Sequence, residues 1–184
     1  MFSSFAIVGS GAIGLNYGVR LALAGADVRF LVRGDPAPLR VNGLRVIEKA
    51  RTLELRPAAV FARPEEIGPV GVVLVALKTT ANAELPRLLP PLVGPDTLVV
   101  TLQNGLGNEE FLAGIVGGDR VLGGICFVAS TRTGPGTWIS PWTRVKSSLA
   151  RLAQATSGKS TRPCSCTRNW AWSRSQRLRS KLAR

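Results

Sequence analysis

The most constraining feature of this sequence is a glycine pattern that follows directly on a short apolar run. Residues 5–8 are apolar, and Gly9-Ser10-Gly11-Ala12-Ile13-Gly14 then has the form G-x-G-x-x-G. Apolar residues recur at helical spacing over residues 12–24, and Gly25 is placed to end that helix. A strand, a glycine turn and a helix in this order predict a dinucleotide-binding βαβ unit.

The three glycines have separate roles in such a unit. Gly9 permits a tight turn, Gly11 lets the backbone approach a pyrophosphate, and Gly14 allows the helix to pack closely on the strand. The helix start adds free N–H groups and a positive dipole end, which favour phosphate. We therefore expect a dinucleotide to be held by Gly9, Ser10, Gly11, Ala12, Ile13 and Gly14. A glycine turn without a ligand is the alternative.

The chain after the first helix continues to alternate between predicted strands and helices. We expect strands at 28–32, 70–76, 97–102 and 120–129, helices at 80–89 and 108–115, and a strand pair at 41–47 and 52–56. Residues 70–76 are apolar without alternation, as in a parallel strand covered on both faces. The fold class predicted is α/β, a Rossmann-type doubly wound and mostly parallel sheet.

The residue that follows the second strand indicates which dinucleotide is bound. NAD enzymes place an acid there for the ribose 2′-hydroxyl. This sequence has Arg33 at that point, and the nearest acid, Asp35, lies beyond Gly34. A guanidinium suits a 2′-phosphate, so NADP (as NADPH) is favoured over NAD. The alternative is a solvated surface arginine.

Two further polar residues follow buried strands, where ligands of such sheets bind. Lys78 comes after the most hydrophobic strand and could hold a phosphate or ribose. Asn104, in Gln103-Asn104-Gly105, could orient a nicotinamide or a substrate oxygen. The alternatives are a solvated lysine and an ordinary Asn-Gly turn.

The charge and composition of the chain limit its function classes. Residues 1–138 carry 13 Lys and Arg and all 11 Asp and Glu, whereas residues 139–184 carry 11 basic residues and no acid. The net charge of +13 therefore describes a tail and does not make the whole chain a nucleic-acid binder. Histidine is absent, which excludes imidazole bases and Ser-His or Cys-His pairs. The three cysteines have neither disulfide nor metal spacing, so we expect no metal.

Several motifs together resemble one known family. Residues 7–14, then Leu31-Val32-Arg33, then Leu77-Lys78-Thr79, then Gln103-Asn104-Gly105 are similar in order and spacing to those of ketopantoate reductase (2-dehydropantoate 2-reductase). The resemblance covers about residues 5–138. It implies NADPH-dependent reduction of 2-dehydropantoate, a small ketoacid, to pantoate for pantothenate and coenzyme A synthesis. It further implies that Lys78 contacts the cofactor and that Asn104 contacts both nicotinamide and substrate.

The resemblance also implies a second, helical domain that supplies the general-acid lysine, and nothing after about Trp138 resembles it. We therefore expect an NADP-binding domain at residues 1–138 and a basic Ser/Arg-rich tail at 139–184, with no catalytic residue identifiable. This chain is then expected to bind NADPH weakly and to turn over below ~1 per second.

Three interpretations of residues 139–184 remain open. The loss of acids and the excess of Arg, Ser and Trp favour an out-of-frame translation product. A basic arm whose Trp170 and Trp172 stack on bases is the second, and a disordered extension is the third. Nucleic acid is therefore not the expected partner of the chain.

Two alternatives to the ketopantoate reductase function also stay open. One is a non-catalytic dinucleotide-binding module, and the other is a different two-domain NAD(P)-dependent 2-hydroxyacid or polyol dehydrogenase. No Lys or Arg precedes Arg20 and no apolar stretch approaches ~20 residues, so we expect neither a signal peptide nor a membrane span. The expected location is the cytoplasm, and the sequence leaves the oligomeric state open.

Overall fold

The computed structural model of the protein describes residues 4–126 and 128–143. The interpretations of the basic tail concern mainly residues beyond 143, which lie outside the described residues. The strands are β1 Ser4–Val8, β2 Asp27–Leu31, β3 Leu44–Ile47, β4 Thr52–Leu55, β5 Ala59–Phe61, β6 Val70–Val75, β7 Val93–Thr101, β8 Val121–Gly123, β9 Val128–Gly134 and β10 Thr137–Thr143. The α-helices are α1 Ala12–Leu23, α2 Ala37–Asn42, α3 Leu85–Leu88 and α4 Asn108–Val116. None of these helices has the length and apolar character that a membrane span requires.

Six strands form one parallel sheet in the order β5-β2-β1-β6-β7-β8. The chain builds outwards from β1 to β2 and β5, and then returns to add β6, β7 and β8 on the other side of β1. This is the strand order of the dinucleotide-binding fold, in which the order reverses between two neighbouring central strands. The predicted doubly wound parallel sheet is confirmed.

Both faces of the parallel sheet are covered, which explains why its central strands lack polar alternation. On one face, Phe5, Ile7, Phe30, Val72 and Leu74 pack with the apolar side of α1 in a single buried cluster. On the other face, the alternate residues of β1 and β6 pack with α3, α4 and the segments around them, through Ala6, Val8, Val73, Val75, Leu85, Leu89, Leu92 and Leu112.

A second sheet has the order β4-β3-β10-β9, of which the pair β3–β4 is predicted from the sequence and its pairing with β10 and β9 is not. Its pairs β3–β4 and β9–β10 are antiparallel, while β10 runs parallel to β3. Helix α1 contacts strands of both sheets, and Leu44, Val46 and Trp138 of the second sheet join the same buried cluster as α1.

Hydrogen bonds and an ion pair between polar side chains also connect the second sheet to α1. The Asn16 amide nitrogen donates to the Ser140 hydroxyl at 2.9 Å, and the Arg20 Nε donates to the Asn16 amide oxygen at 2.8 Å. Ser140 in turn donates to the Ala129 carbonyl at 3.2 Å. Arg20 also pairs with Glu48 at the β3–β4 turn. Because Asn16 and Ser140 are buried, these bonds replace water that both groups lose on folding.

Three predicted elements differ from the structure. Residues 41–43 are not strand, because α2 continues to Asn42. The helix expected over 80–89 is a 3₁₀ helix at Thr79–Glu84 followed by the short α3, since Pro86 has no N–H to donate to an α-helical turn. The strand expected over 120–129 is two strands in different sheets.

The break between β8 and β9 falls at adjacent glycines. A Cβ on Gly124 would lie 2.8 Å from Leu102 Cδ2 and 3.1 Å from the Thr101 carbonyl oxygen, so the chain passes here closer to β7 than a side chain allows. Beyond the turn at residues 135–136, β10 continues to Thr143 and buries Ser140. The expected boundary at residue 138 therefore lies inside a strand.

Candidate functional site

The carboxyl ends of the parallel strands lie side by side at one edge of the sheet. Val8, at the end of β1, pairs with Leu31 of β2 on one side and with Val75 of β6 on the other. Val75 pairs in turn with Thr101 of β7. The loops that follow these strands therefore meet at the point where the strand order reverses, which is where this kind of sheet binds ligands.

The glycine loop after β1 is closely packed at its first and last glycines. Gly9 has φ of +99°, and a Cβ there would lie 2.5 Å from the Leu77 backbone nitrogen, in the loop after β6. A Cβ on Gly14 would run into the Gly9 carbonyl oxygen and lie 2.9 Å from Ile7 Cγ2. Both positions accept glycine alone, because backbone atoms occupy the space of a side chain.

The middle glycine is different. A Cβ on Gly11 would meet no heavy atom within 4 Å, and the backbone there is extended, with φ −85° and ψ −164°. Gly11 is the N-cap of α1 and has no side-chain cap bond, so the start of the helix faces open space with N–H groups to offer. A glycine that packing does not require, at the start of a helix, is a place where a ligand can approach the backbone.

Of the other loop residues, Ser10 has a structural bond. Its hydroxyl donates to the Leu31 carbonyl at 2.7 Å and so ties the glycine loop to the end of β2. Ala12 and Ile13 are half-buried in the first turn of α1 and contribute backbone N–H groups to the helix start.

A cavity of about 460 Å³ opens beside this loop. Its floor is the glycine loop together with the ends of β1 and β2, and one side is formed by Glu84, Arg87 and Leu88 around the start of α3. The other side is formed by Arg132, Gly136 and Trp138 of the second sheet. The cavity therefore lies between the two sheets and is open to the residues that the sequence singled out after β1 and β2.

Arg33 lines this cavity and is exposed. Its guanidinium has no hydrogen bond or ion pair within residues 4–126 and 128–143. The nearby acid Asp35 is not among the described residues that line the cavity, and its carboxylate accepts the Ala37 backbone N–H at 2.9 Å at the start of α2. Among the described residues, the end of β2 thus presents a cation and no carboxylate to the cavity.

Lys78 and Asn104 lie at the same edge of the sheet but outside the lining of this cavity. Lys78 is exposed directly before the 3₁₀ helix, and its carbonyl accepts the Ala81 N–H at 2.8 Å. Asn104 is exposed in the loop after β7, and its carbonyl accepts the Asn108 side-chain amide at 3.2 Å. Their roles as ligand contacts remain predictions.

Three amide side chains that the sequence analysis did not single out join the loops that carry Lys78 and Asn104. Gln103 Nε2 donates to the Leu77 carbonyl at 3.0 Å and to the Asn82 amide oxygen at 2.7 Å. Asn82 donates to Asn108 at 3.3 Å, and Asn108 donates to the carbonyls of Asn104 and Gly105. The pattern Gln-Asn-Gly was visible, but a turn motif does not indicate that the glutamine bridges to another loop.

Two titratable groups with raised pKa lie outside the lining of the cavity. Tyr17 of α1 is buried and Cys126 is half-buried, and burial raises the pKa of both the phenol and the thiol. Both groups are therefore neutral near pH 7 and belong to the packing of α1. Within residues 4–126 and 128–143, no cluster of three or more Cys, Asp and Glu forms a metal-binding group.

Comparison with known proteins agrees with this geometry. A 2-dehydropantoate 2-reductase of Nostoc sp. is 42% identical over 132 residues, which cover 72% of this chain and 41% of that protein. The crystal structure of 2-dehydropantoate 2-reductase from Geobacter metallireducens GS-15 is 45% identical, with a TM-score of 0.74 over 76% of this chain and 46% of that chain. The enzyme of the same name from Methylococcus capsulatus is 27% identical, with a TM-score of 0.70.

The chain thus spans about two fifths of the length of the curated relatives it matches. The family model of ketopantoate reductase PanE/ApbA matches residues 5–140, which include the glycine loop, Arg33, Lys78 and Asn104. The resemblance found in the sequence is confirmed, and the chain belongs to the ketopantoate reductase PanE/ApbA family.

Proposed function

We propose that this chain is the NADP-binding domain of an enzyme that reduces 2-dehydropantoate to pantoate with NADPH. The observation that carries the proposal is Gly11, which starts α1 without a side chain and opens onto a cavity that Arg33 lines. Family membership supports the substrate, because the relative from Nostoc sp. is named 2-dehydropantoate 2-reductase.

The loop fits the pyrophosphate of a dinucleotide. Gly9 and Gly14 fix its path through close backbone contacts, and Gly11 leaves its outer side open. The N–H groups of the first turn of α1 point along the helix axis towards that space, and the positive end of the helix dipole favours an anion there. The residues present therefore suit a phosphate group at this position.

The end of β2 favours a 2′-phosphate over a free 2′-hydroxyl. Arg33 has no partner among the described residues, so its guanidinium can donate hydrogen bonds to a phosphate without breaking an existing bond. The acid that an NAD site needs is not among the described residues that line the cavity, since the nearest acid, Asp35, lies outside that lining. These two features support NADP as the cofactor.

Bound NADPH supplies the hydride that converts a ketone to an alcohol. In the proposed site, Lys78 and Asn104 flank the nicotinamide end, and the bridge through Gln103, Asn82 and Asn108 holds their two loops at a fixed separation. Such positioning matters because small displacements of reacting groups cost large factors in rate. We assign no proton donor for the ketone oxygen within the described residues.

The cofactor assignment is tested by titrating NADPH and NADH into the 184-residue chain and its Arg33→Ala variant. We expect wild type to prefer NADPH, and Arg33→Ala to weaken NADPH binding by about tenfold or more, since a charged hydrogen bond contributes about 1.5–3 kcal/mol. NADH binding should not change. The control is Arg51→Ala, which removes the same charge from an exposed arginine at the β3–β4 turn.

Equal affinities of wild type for NADPH and NADH would remove the NADP assignment. Reduction itself is measured as oxidation of NADPH that depends on 2-dehydropantoate. We expect slow oxidation, below ~1 per second, whereas NADPH binding with no detectable oxidation would favour the alternative of a dinucleotide-binding module.

A further inference from the structure

A second arginine, which forms no ion pair with any described residue, lines the same cavity from the other sheet. Arg132 lies on β9 and lines the cavity together with Gly136 and Trp138 of the β9–β10 hairpin. It is separated from Arg33 by most of the chain, and only the packing of the second sheet on α1 brings them to one cavity. Neither the glycine loop nor the end of β2 contains it.

The surroundings of Arg132 hold its side chain in place without neutralising it. Its guanidinium carbon lies 6.0 Å from the ring centroid of Trp138, and Trp138 is 3% exposed and so provides a fixed support. Its Nε donates to the Gly134 carbonyl at 3.4 Å, a long bond within the same hairpin. Its two terminal amino groups have no partner in the part of the chain that the structure describes.

The charges around the cavity are unbalanced. Among the described residues, three arginines line it, Arg33, Arg87 and Arg132, and the single acid of the lining is Glu84. Glu84 already pairs with Arg87 at 3.2 Å. Two uncompensated guanidinium groups therefore remain, one from each sheet, and they suit an anion that carries about two charges, such as a phosphate monoester.

The hairpin contacts β3 and α2, the elements that follow Arg33 in the chain. The Arg45 N–H donates to the Gly136 carbonyl at 2.7 Å, and a Cβ on Gly136 would lie 3.0 Å from Leu39 Cδ2 of α2. Helix α2 follows the end of β2, where Arg33 lies. Arg132 is thus placed near the ribose end of the proposed cofactor site, while the pyrophosphate lies against backbone N–H groups.

We propose that Arg132 binds the 2′-phosphate of the cofactor together with Arg33, and that it determines specificity for NADP from the second sheet. This inference rests on the proposed function, because it requires the adenosine end of the dinucleotide to occupy the cavity. The parallel sheet then provides one half of the phosphate site and the β9–β10 hairpin provides the other.

The test compares adenosine 2′,5′-bisphosphate with adenosine 5′-phosphate, which differ by the 2′-phosphate alone. Isothermal titration uses the full chain and the variants Arg132→Ala, Arg132→Gln and Arg51→Ala. We expect both Arg132 variants to weaken the bisphosphate by about tenfold or more and to leave the monophosphate unchanged. Arg51→Ala, which removes an equal charge from the same sheet away from the cavity, should change neither.

The outcomes separate this inference from the proposed function. If wild type binds both nucleotides equally, the assignment of NADP fails, and the role of Arg132 falls with it. If wild type prefers the bisphosphate and Arg132→Ala resembles Arg51→Ala, the NADP assignment stands and the role of Arg132 is wrong. An equal loss for both nucleotides would also overturn it, since Arg132 would then contact the part that they share. Unchanged circular dichroism of the variants establishes that they fold.

Discussion

The two sheets of this protein are stabilised in different ways. The parallel sheet is buried on both faces, so that consecutive residues of β1 and β6 belong to two separate apolar clusters. The second sheet buries one face, and its strands alternate between buried and exposed residues, as in β3. It is held to α1 partly by buried polar groups, chiefly Asn16 and Ser140. The first sheet therefore depends mainly on apolar packing, and the second adds a few specific polar bonds to its apolar contacts with α1.

This difference matches what each sheet contributes to the proposed site. The parallel sheet carries the glycine loop and Arg33, whose positions follow from strand register and close backbone contacts. The second sheet carries Arg132, whose position depends on how a hairpin docks on α1 and α2. The two sheets together line one cavity.

The largest expected effects concern the burial of neighbouring residues along a strand. In the parallel sheet neighbouring residues are both buried, whereas in the second sheet buried and exposed residues alternate along β3. Leu74→Ala should lower the free energy of unfolding by about 2–5 kcal/mol. Val73→Ala, on the opposite face of β6, should cost about 2 kcal/mol as well, because both residues are fully buried. On β3, Arg45→Ala should cost less than about 1 kcal/mol, since Arg45 and its partner Glu54 are both exposed.

Urea unfolding measures these differences as shifts of the midpoint at constant slope. If Val73→Ala had no more effect than Arg45→Ala, the second face of the parallel sheet would not be packed as described.

A smaller effect tests the polar attachment of the second sheet. Ser140→Ala removes the partner of the Asn16 amide and should cost about 1–3 kcal/mol, because a buried donor is left unsatisfied. Ser130 on β9 is the matched control, since its buried hydroxyl has no partner within the described residues. Ser130→Ala should therefore be neutral or slightly stabilising. Equal losses for the two variants in urea unfolding would contradict a specific role for the Asn16–Ser140 bond.

The sequence predicts the parallel sheet far better than the second sheet, and the reason is physical. Strands such as β6 are continuous apolar runs between glycines and helices, so their type and burial follow from local pattern. Strand β9 reads Val-Ala-Ser-Thr-Arg-Thr-Gly and has no apolar face to recognise. Its pairing with β10 and the docking of that hairpin on α1 are long-range contacts that no local pattern indicates.

The same distinction holds for the site. Gly9, Gly11, Gly14 and Arg33 could be predicted as site residues because a motif and the end of a strand define their surroundings within a few residues, and their roles as ligand contacts stay predictions. Arg132 gave no such signal, because its relation to the cavity exists only after the two sheets have packed together.

Gly11→Val distinguishes a glycine loop that holds a ligand from one that is merely a tight turn. A Cβ on Gly11 would meet no heavy atom of the described residues within 4 Å. The free energy of unfolding of the variant should therefore lie within about 1 kcal/mol of the wild-type value. Isothermal titration should nevertheless show that its affinity for NADPH falls by at least about tenfold, because the valine side chain keeps the pyrophosphate from the backbone N–H groups and one charged hydrogen bond contributes about 1.5–3 kcal/mol. Gly114→Val, at an equally open glycine of α4, should leave NADPH binding unchanged. Unchanged NADPH affinity in a folded Gly11→Val protein would contradict a role of the glycine loop in holding the cofactor.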